Sequence, residues 1–102
     1  MEQRFKEEDL LKICDQAAIY DCACPAQLSR QLIELRSLFA YQQRFGRETS
    51  LDIAVHGKIA ASVTQAHALL EQCLHEVLTL EGWSMTTLEM PDDLLKLRLR
   101  RE

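Results

Sequence analysis

Residues that interrupt regular structure are scarce in this chain. Its 102 residues include three Gly and two Pro, and apolar residues make up 47% of the total. Leu, Ala, Glu, Gln and Arg dominate the composition, and all of these are good helix formers. Few chain breakers argue against disorder, and the length is that of one domain. The composition therefore predicts a single all-α domain built from long helices.

Long apolar runs and an excess of basic residues are missing as well. No apolar stretch approaches the roughly 18 residues of a membrane span. The first residues, MEQRFKEEDLL, lack the apolar core of a signal peptide. We therefore expect a soluble cytosolic protein without membrane contact. The formal net charge of −4 argues against nucleic-acid binding, because phosphate recognition needs a positive field.

Three stretches have the apolar spacing and the end signals of helices. They are predicted over residues 7–20, 25–45 and 50–81. The second is expected to start with Cys24 as its cap and Pro25 as its first residue, and to stop at Gly46. The third is expected to be capped by Thr49 or Ser50, and to stop at Gly82.

The third predicted helix carries an apolar stripe along most of its length. Its residues are spaced by threes and fours: Val55, Ile59, Val63, Ala66, Leu70, Cys73, Val77 and Leu80. This pattern is typical of a coiled-coil-like seam. We therefore expect a small antiparallel bundle, in which helices two and three form a long hairpin and helix one packs on it. His67, Glu71 and His75 recur every four residues, and we expect them to line a solvated polar face.

The predicted helices differ in length, and this difference indicates self-association. The third would be roughly 46 Å long and the second roughly 31 Å, at about 1.5 Å per residue. Helix one, the C-terminal tail or a second chain must cover the surplus, and we expect a homodimer. The bundle is predicted over residues 1–90, followed by an amphipathic basic tail over 91–102. Alternating apolar and basic residues predict a strand for this tail, whereas residue propensity predicts a helix. We expect the tail either to fray or to dock on an acidic surface.

Cysteines form the sharpest candidate site. Cys22 and Cys24 stand one residue apart before Pro25, and the hairpin would return Cys73 to the same level. In a first interpretation these thiols fill small core spaces. In a second, Cys22, Cys24 and Cys73, with Cys14 as a further ligand, hold zinc or an iron–sulfur cluster. In a third, Cys24 is a redox-active thiolate stabilised at a helix start.

No catalytic motif stands out in the sequence. A glycine-rich phosphate loop and a Rossmann fingerprint are both missing, and no nucleophile motif accompanies the histidines. We therefore assign no catalytic residue and favour a non-enzymatic protein. The first hypothesis is an adaptor or regulator that acts through protein–protein contacts and forms a homodimer. The alternative is a cysteine-based metal or thiol redox protein.

Overall fold

The computed structural model describes residues 1–19, 23–45 and 48–91, and three helices form within these ranges. They are α1 (Glu7–Ile19), α2 (Ala23–Arg44) and α3 (Ser50–Glu81). The described residues contain no strand, and α2 contacts both α1 and α3. The all-α prediction is confirmed. None of these helices combines the length and apolar character needed to cross a membrane. Residues 92–102, most of the predicted tail, lie outside the described ranges.

Both ends of α3 lie where the sequence signals placed them. The Thr49 hydroxyl accepts a hydrogen bond from the backbone N–H of Asp52 at 3.0 Å, which satisfies one unpaired donor of the first turn. At the other end Gly82 has a φ of 78°. Its N–H donates to the carbonyl of Thr79, and the N–H of Trp83 donates to that of Leu78. This pair of bonds is a Schellman motif, which favours glycine at the left-handed position.

The start of α2 differs from the prediction. The helix begins at Ala23, so Cys24 lies inside its first turn instead of capping it. Pro25 is tolerated there because the N–H groups of a first turn have no intrahelical acceptor in any case. The prediction of a Cys24 cap is therefore wrong, and the redox interpretation loses the cap position on which it depended.

The hydrophobic core gathers at one end of an elongated molecule. The chain measures 58 × 20 × 19 Å along its principal axes. One cluster joins the N-terminal segment, all three helices and the segment after α3: Phe5, Leu10, Ile13, Ala17, Ala26, Leu32, Leu74, Leu78, Trp83, Leu88 and Met90. The segment after α3 is tied to α1, since the Gln16 side chain accepts a hydrogen bond from the Met90 N–H at 3.2 Å.

The buried face of α3 is not the predicted seam. The buried residues are Val63, His67, Glu71, Leu74 and Leu78, whereas Val55 is 46% exposed and Leu80 is 86% exposed. Because α3 is apolar on two faces, periodicity does not show which face packs inside the chain. The expected solvated face is also wrong for His67 and Glu71, which are 1% and 5% exposed.

Candidate functional site

The most unusual feature of the interior is a cluster of three ionisable side chains. Arg36 comes from α2, and His67 and Glu71 lie one turn apart on α3. The side chains of Arg36 and Glu71 are 11% and 7% exposed. Buried ionisable groups are costly unless they are paired. The contacts of this polar cluster therefore determine whether it is structural or reactive.

Glu71 holds the N-terminal segment against α3. Its Oε2 accepts hydrogen bonds from the backbone N–H of Arg4 at 2.8 Å and from that of Phe5 at 3.0 Å. Nη2 of Arg36 lies 3.3 Å from the same oxygen and also donates to the Phe5 carbonyl. Side chains from two helices therefore fix a backbone segment that precedes α1, and this fastening places Phe5 in the core.

Arg36 also sets the state of His67. Nε of Arg36 donates to Nε2 of His67 at 2.9 Å. A guanidinium remains protonated in proteins and cannot accept, so Nε2 must be unprotonated and the imidazole carries its proton on Nδ1. That nitrogen lies 3.6 Å from Glu71 Oε1 and has no hydrogen-bond partner among the described residues. His67 is thus a neutral acceptor inside the cluster.

The electrostatics of the cluster agree with a neutral imidazole. Burial lowers the pKa of His67 below its ordinary value. The Glu71 carboxylate acts in the opposite direction, while Arg36 and the N-terminal ammonium add to the lowering. Protonation would place a second cation beside Arg36 and remove the acceptor for its Nε.

The contacts of the polar cluster give it a structural role. Glu71 borders an open cleft of about 530 Å³, together with Glu2, Gln3, Arg4, Ala68 and Gln72. Its Oε2 already takes three donors, and no nucleophilic side chain joins the three ionisable groups in the described contacts. The arrangement anchors residues 4 and 5 and joins α2 to α3.

The structure places the predicted cysteine ligands in different environments. Cys24 is exposed, whereas Cys14 and Cys73 are half-buried, and all three are free thiols. The Cys14 sulfur lies 3.9 Å from the Ala26 carbonyl. Burial raises the pKa of the Cys14 thiol, an effect that Arg30 opposes and Asp15 reinforces. A raised pKa means less thiolate, so Cys14 is a poor nucleophile.

The described residues show no metal-binding group. Among residues 1–19, 23–45 and 48–91 no group of three or more His, Cys, Asp or Glu side chains is arranged to hold a metal ion. Cys22, one of the predicted ligands, lies outside these ranges. The zinc or iron–sulfur hypothesis, with Cys22, Cys24, Cys73 and Cys14, therefore stays a prediction.

Exposed apolar side chains lie in the last two turns of α2 and directly after it. Leu38 and Tyr41 on α2 are 43% and 53% exposed, and Phe45, directly after this helix, is 51% exposed. We call these three residues the aromatic patch. The ring centroids of Tyr41 and Phe45 are 4.8 Å apart. His56 of α3 lies 6.4 Å from Tyr41. Contiguous exposed apolar surface of this kind is typical of interaction sites.

The sequence interpretation placed His67 and Glu71 on a solvated face because it assigned the buried stripe of α3 to apolar residues alone. Val63, His67, Glu71, Leu74 and Leu78 follow one another at spacings of three and four, which is a helical stripe in its own right. The spacing of the buried face was therefore present in the sequence, but two of its members are polar and an apolar pattern does not include them. Arg36, on a different helix, carried no comparable signal. Comparison with family models, with curated proteins and with solved structures gave no match.

Proposed function

We propose that this protein acts in the cytosol as an adaptor or regulator through protein–protein contacts, and that it forms a homodimer. In this proposal α2 and α3 form an antiparallel hairpin whose far end projects from the core. The aromatic patch is the observation that carries the proposal. A monomer that left Leu38, Tyr41 and Phe45 in water would gain nothing from them, whereas a partner would bury them.

The chemistry of the patch suits a binding surface. Tyr and Phe bury large areas with few rotatable bonds, and aromatic residues and Arg are enriched at the centres of interfaces. The Arg44 guanidinium carbon lies 5.9 Å from the Phe45 ring centroid, and the Tyr41 ring contacts the same side chain. The Tyr41 and Phe45 rings therefore restrict each other's rotation in the unbound protein, which lowers the entropy cost of binding a partner.

The position of the patch separates it from the core. The members of the core cluster on α2, Ala26 and Leu32, both precede Arg36, whereas the aromatic patch follows it. Close to the patch, a side-chain contact of 2.5 Å between His56 Nδ1 and Gln42 Oε1 ties α2 to α3. A partner could therefore bind this end without disturbing the packing that stabilises the domain.

The proposal can be tested with a site-specific photo-cross-linker in the cells that naturally make the protein. Placed at Tyr41, it should give a discrete adduct with another protein. Gln27, exposed on the same helix and about 21 Å away along the axis at 1.5 Å per residue, is the matched control and should give none. A cross-linker at Leu38 should also lose its adduct when Phe45→Ser is added. Equal labelling from positions 41 and 27, or no discrete adduct from either, would contradict the proposal.

A further inference from the structure

A second apolar stripe runs along α3 on the side that the core does not use. We call it the outer stripe, and its members recur at spacings of three and four: Leu51, Val55, Ile59, Ser62, Ala66, Leu69, Cys73, Val77 and Leu80. None of them is charged. Leu51 is 72% exposed, Leu69 is 70% exposed and Leu80 is 86% exposed. A fully solvated helix face does not need such a pattern.

The outer stripe and the buried face are separate surfaces of one helix. At about 100° per residue, the outer stripe is centred roughly a third of a turn from the line through Val63, His67 and Leu74. Ile59, Ala66, Cys73 and Val77 are half-buried, so they stand at the border between the two surfaces. The helix packs inside its own chain with one edge, whereas Leu51, Leu69 and Leu80 on the other edge remain exposed.

The dimensions and symmetry of the stripe fit a second α3. From Leu51 to Leu80 the stripe is about 44 Å long at 1.5 Å per residue, so it needs a long helix opposite it. Its small residues, Ser62 and Ala66, lie near the middle of Ser50–Glu81 and allow two helix axes to approach closely there. Pairing in opposite directions about Ala66 places larger residues of one copy against the stripe of the other.

Charge complementarity fixes the direction of pairing. Lys58 and Glu76 are both exposed and flank the outer stripe on the same side. They are separated by 18 residues, five whole turns of helix. Antiparallel pairing brings Lys58 of one copy level with Glu76 of the second copy, and symmetry produces this contact twice. Parallel pairing would instead place the two Lys58 side chains on opposite sides of the seam, and likewise the two Glu76 side chains, so that no Lys58–Glu76 contact would form.

We infer that the outer stripe is the homodimer interface, formed by two α3 helices that cross antiparallel near Ala66. This inference rests on the homodimer in the proposed function and specifies its surface and direction. It does not use the aromatic patch, which stays free in the dimer for a different protein. The two surfaces can therefore be tested separately.

Sedimentation equilibrium of the full chain tests the interface. The wild-type protein should behave as a reversible dimer whose dissociation depends on concentration. Leu69→Glu places a carboxylate inside the interface and should give a monomer with unchanged helix content by circular dichroism. Leu11→Glu on α1 is the matched control, because Leu11 is an exposed leucine outside the stripe, and it should remain a dimer.

Charge reversal tests the direction. Lys58→Glu should weaken the dimer about tenfold, because two exposed ion pairs become two repulsions. Adding Glu76→Lys should restore the wild-type constant. In a parallel dimer Lys58 and Glu76 of the two copies are not in contact, so neither variant would change the constant, and that result would overturn the inference.

Other occupants of the stripe give different results. If the wild-type protein is a monomer, and Leu69→Glu lowers its stability to urea more than Leu11→Glu does, then residues 92–102 cover the stripe. If the wild-type protein is a monomer and the two variants are equally stable to urea, the stripe binds a different protein. Either result overturns the inference while cross-linking from Tyr41 persists. Loss of the Tyr41 adduct with an intact dimer would instead contradict the proposed partner surface.

Discussion

Nε of Arg36 and Nε2 of His67 lie 2.9 Å apart and join α2 to α3 across 31 positions of sequence. Since the guanidinium is the donor, this one contact defines the tautomer of the imidazole and keeps it neutral. The same guanidinium donates to the Phe5 carbonyl and lies 3.3 Å from Glu71. A single arginine thus connects two helices with the segment that precedes the first helix.

Removing the Glu71 carboxylate should destabilise the fold strongly. Glu71→Ala leaves Arg36 without its counter-ion and leaves the N–H groups of Arg4 and Phe5 without an acceptor. Breaking one partner of a buried ion pair costs about 3–5 kcal/mol. We expect a loss of this size in the free energy of unfolding, measured with urea.

Two further variants identify the cause of that loss. Glu71→Gln keeps one acceptor oxygen and should cost less than Glu71→Ala. Gln65→Ala, at an exposed position of the same helix, should stay within about 0.5 kcal/mol of the wild type. Equal losses for Glu71→Ala and Gln65→Ala would show that the polar cluster does not hold the N-terminal segment.

Acid should weaken the fold through His67. Burial lowers the pKa of this imidazole in the folded state, with Glu71 opposing the effect and Arg36 adding to it. The unfolded chain, with an ordinary His pKa of about 6.5, therefore binds a proton more readily than the folded one. The stabilising contribution is complete above about pH 6.5 and decreases as the pH falls below it. Urea unfolding between pH 8 and pH 5 measures this slope.

The histidine responsible for the slope can be isolated by substitution. His67→Gln keeps an acceptor for Arg36 but does not titrate, so its stability should vary less with pH than that of the wild type. Gln65→Ala changes an exposed, non-titrating residue of the same helix outside the polar cluster and should keep the wild-type slope. Parallel curves for His67→Gln and the wild type would exclude His67 as the titrating group.

The thiols should react at different rates. Cys24 is exposed, whereas Cys14 is half-buried with a pKa that burial raises. Because the thiolate is the reacting species, a disulfide reagent such as Ellman's reagent should modify Cys24 well before Cys14 at pH 8. Cys24→Ser should remove a fast phase, and Cys14→Ser should leave it intact. Loss of a fast phase in Cys14→Ser would contradict this assignment.

The two helix-associated glycines should respond to alanine with opposite signs. Gly82 has a φ of 78°, where a side chain is strained, so Gly82→Ala should cost about 1 kcal/mol. Gly57 lies within α3 and an added Cβ there meets nothing within 4 Å, so Gly57→Ala should stabilise by up to about 1 kcal/mol. Thermal unfolding of both variants measures this, and shifts of the same sign would contradict the assigned roles.

Local signals predicted the helices well and the site poorly. The predicted range 50–81 coincides with α3, because a cap at Thr49 and a stop at Gly82 act within a few residues. The range 25–45 lies within two residues of α2 at each end. The polar cluster was missed because its partners, Phe5, Arg36 and Glu71, come from distant positions. The core also contains Trp83, Leu88 and Met90. These residues have no regular spacing, so a search for helical periodicity does not find them.

Propensity, capping and the scarcity of breakers are local properties, and they were enough to predict the helices and both ends of α3. Which of the two apolar faces of α3 is buried became visible only in the folded chain. That choice depends on what the rest of the chain offers as a neighbour. Arg36 and the backbone of residues 4 and 5 supply the partners that let His67 and Glu71 leave water, and so the face that contains them turned inward.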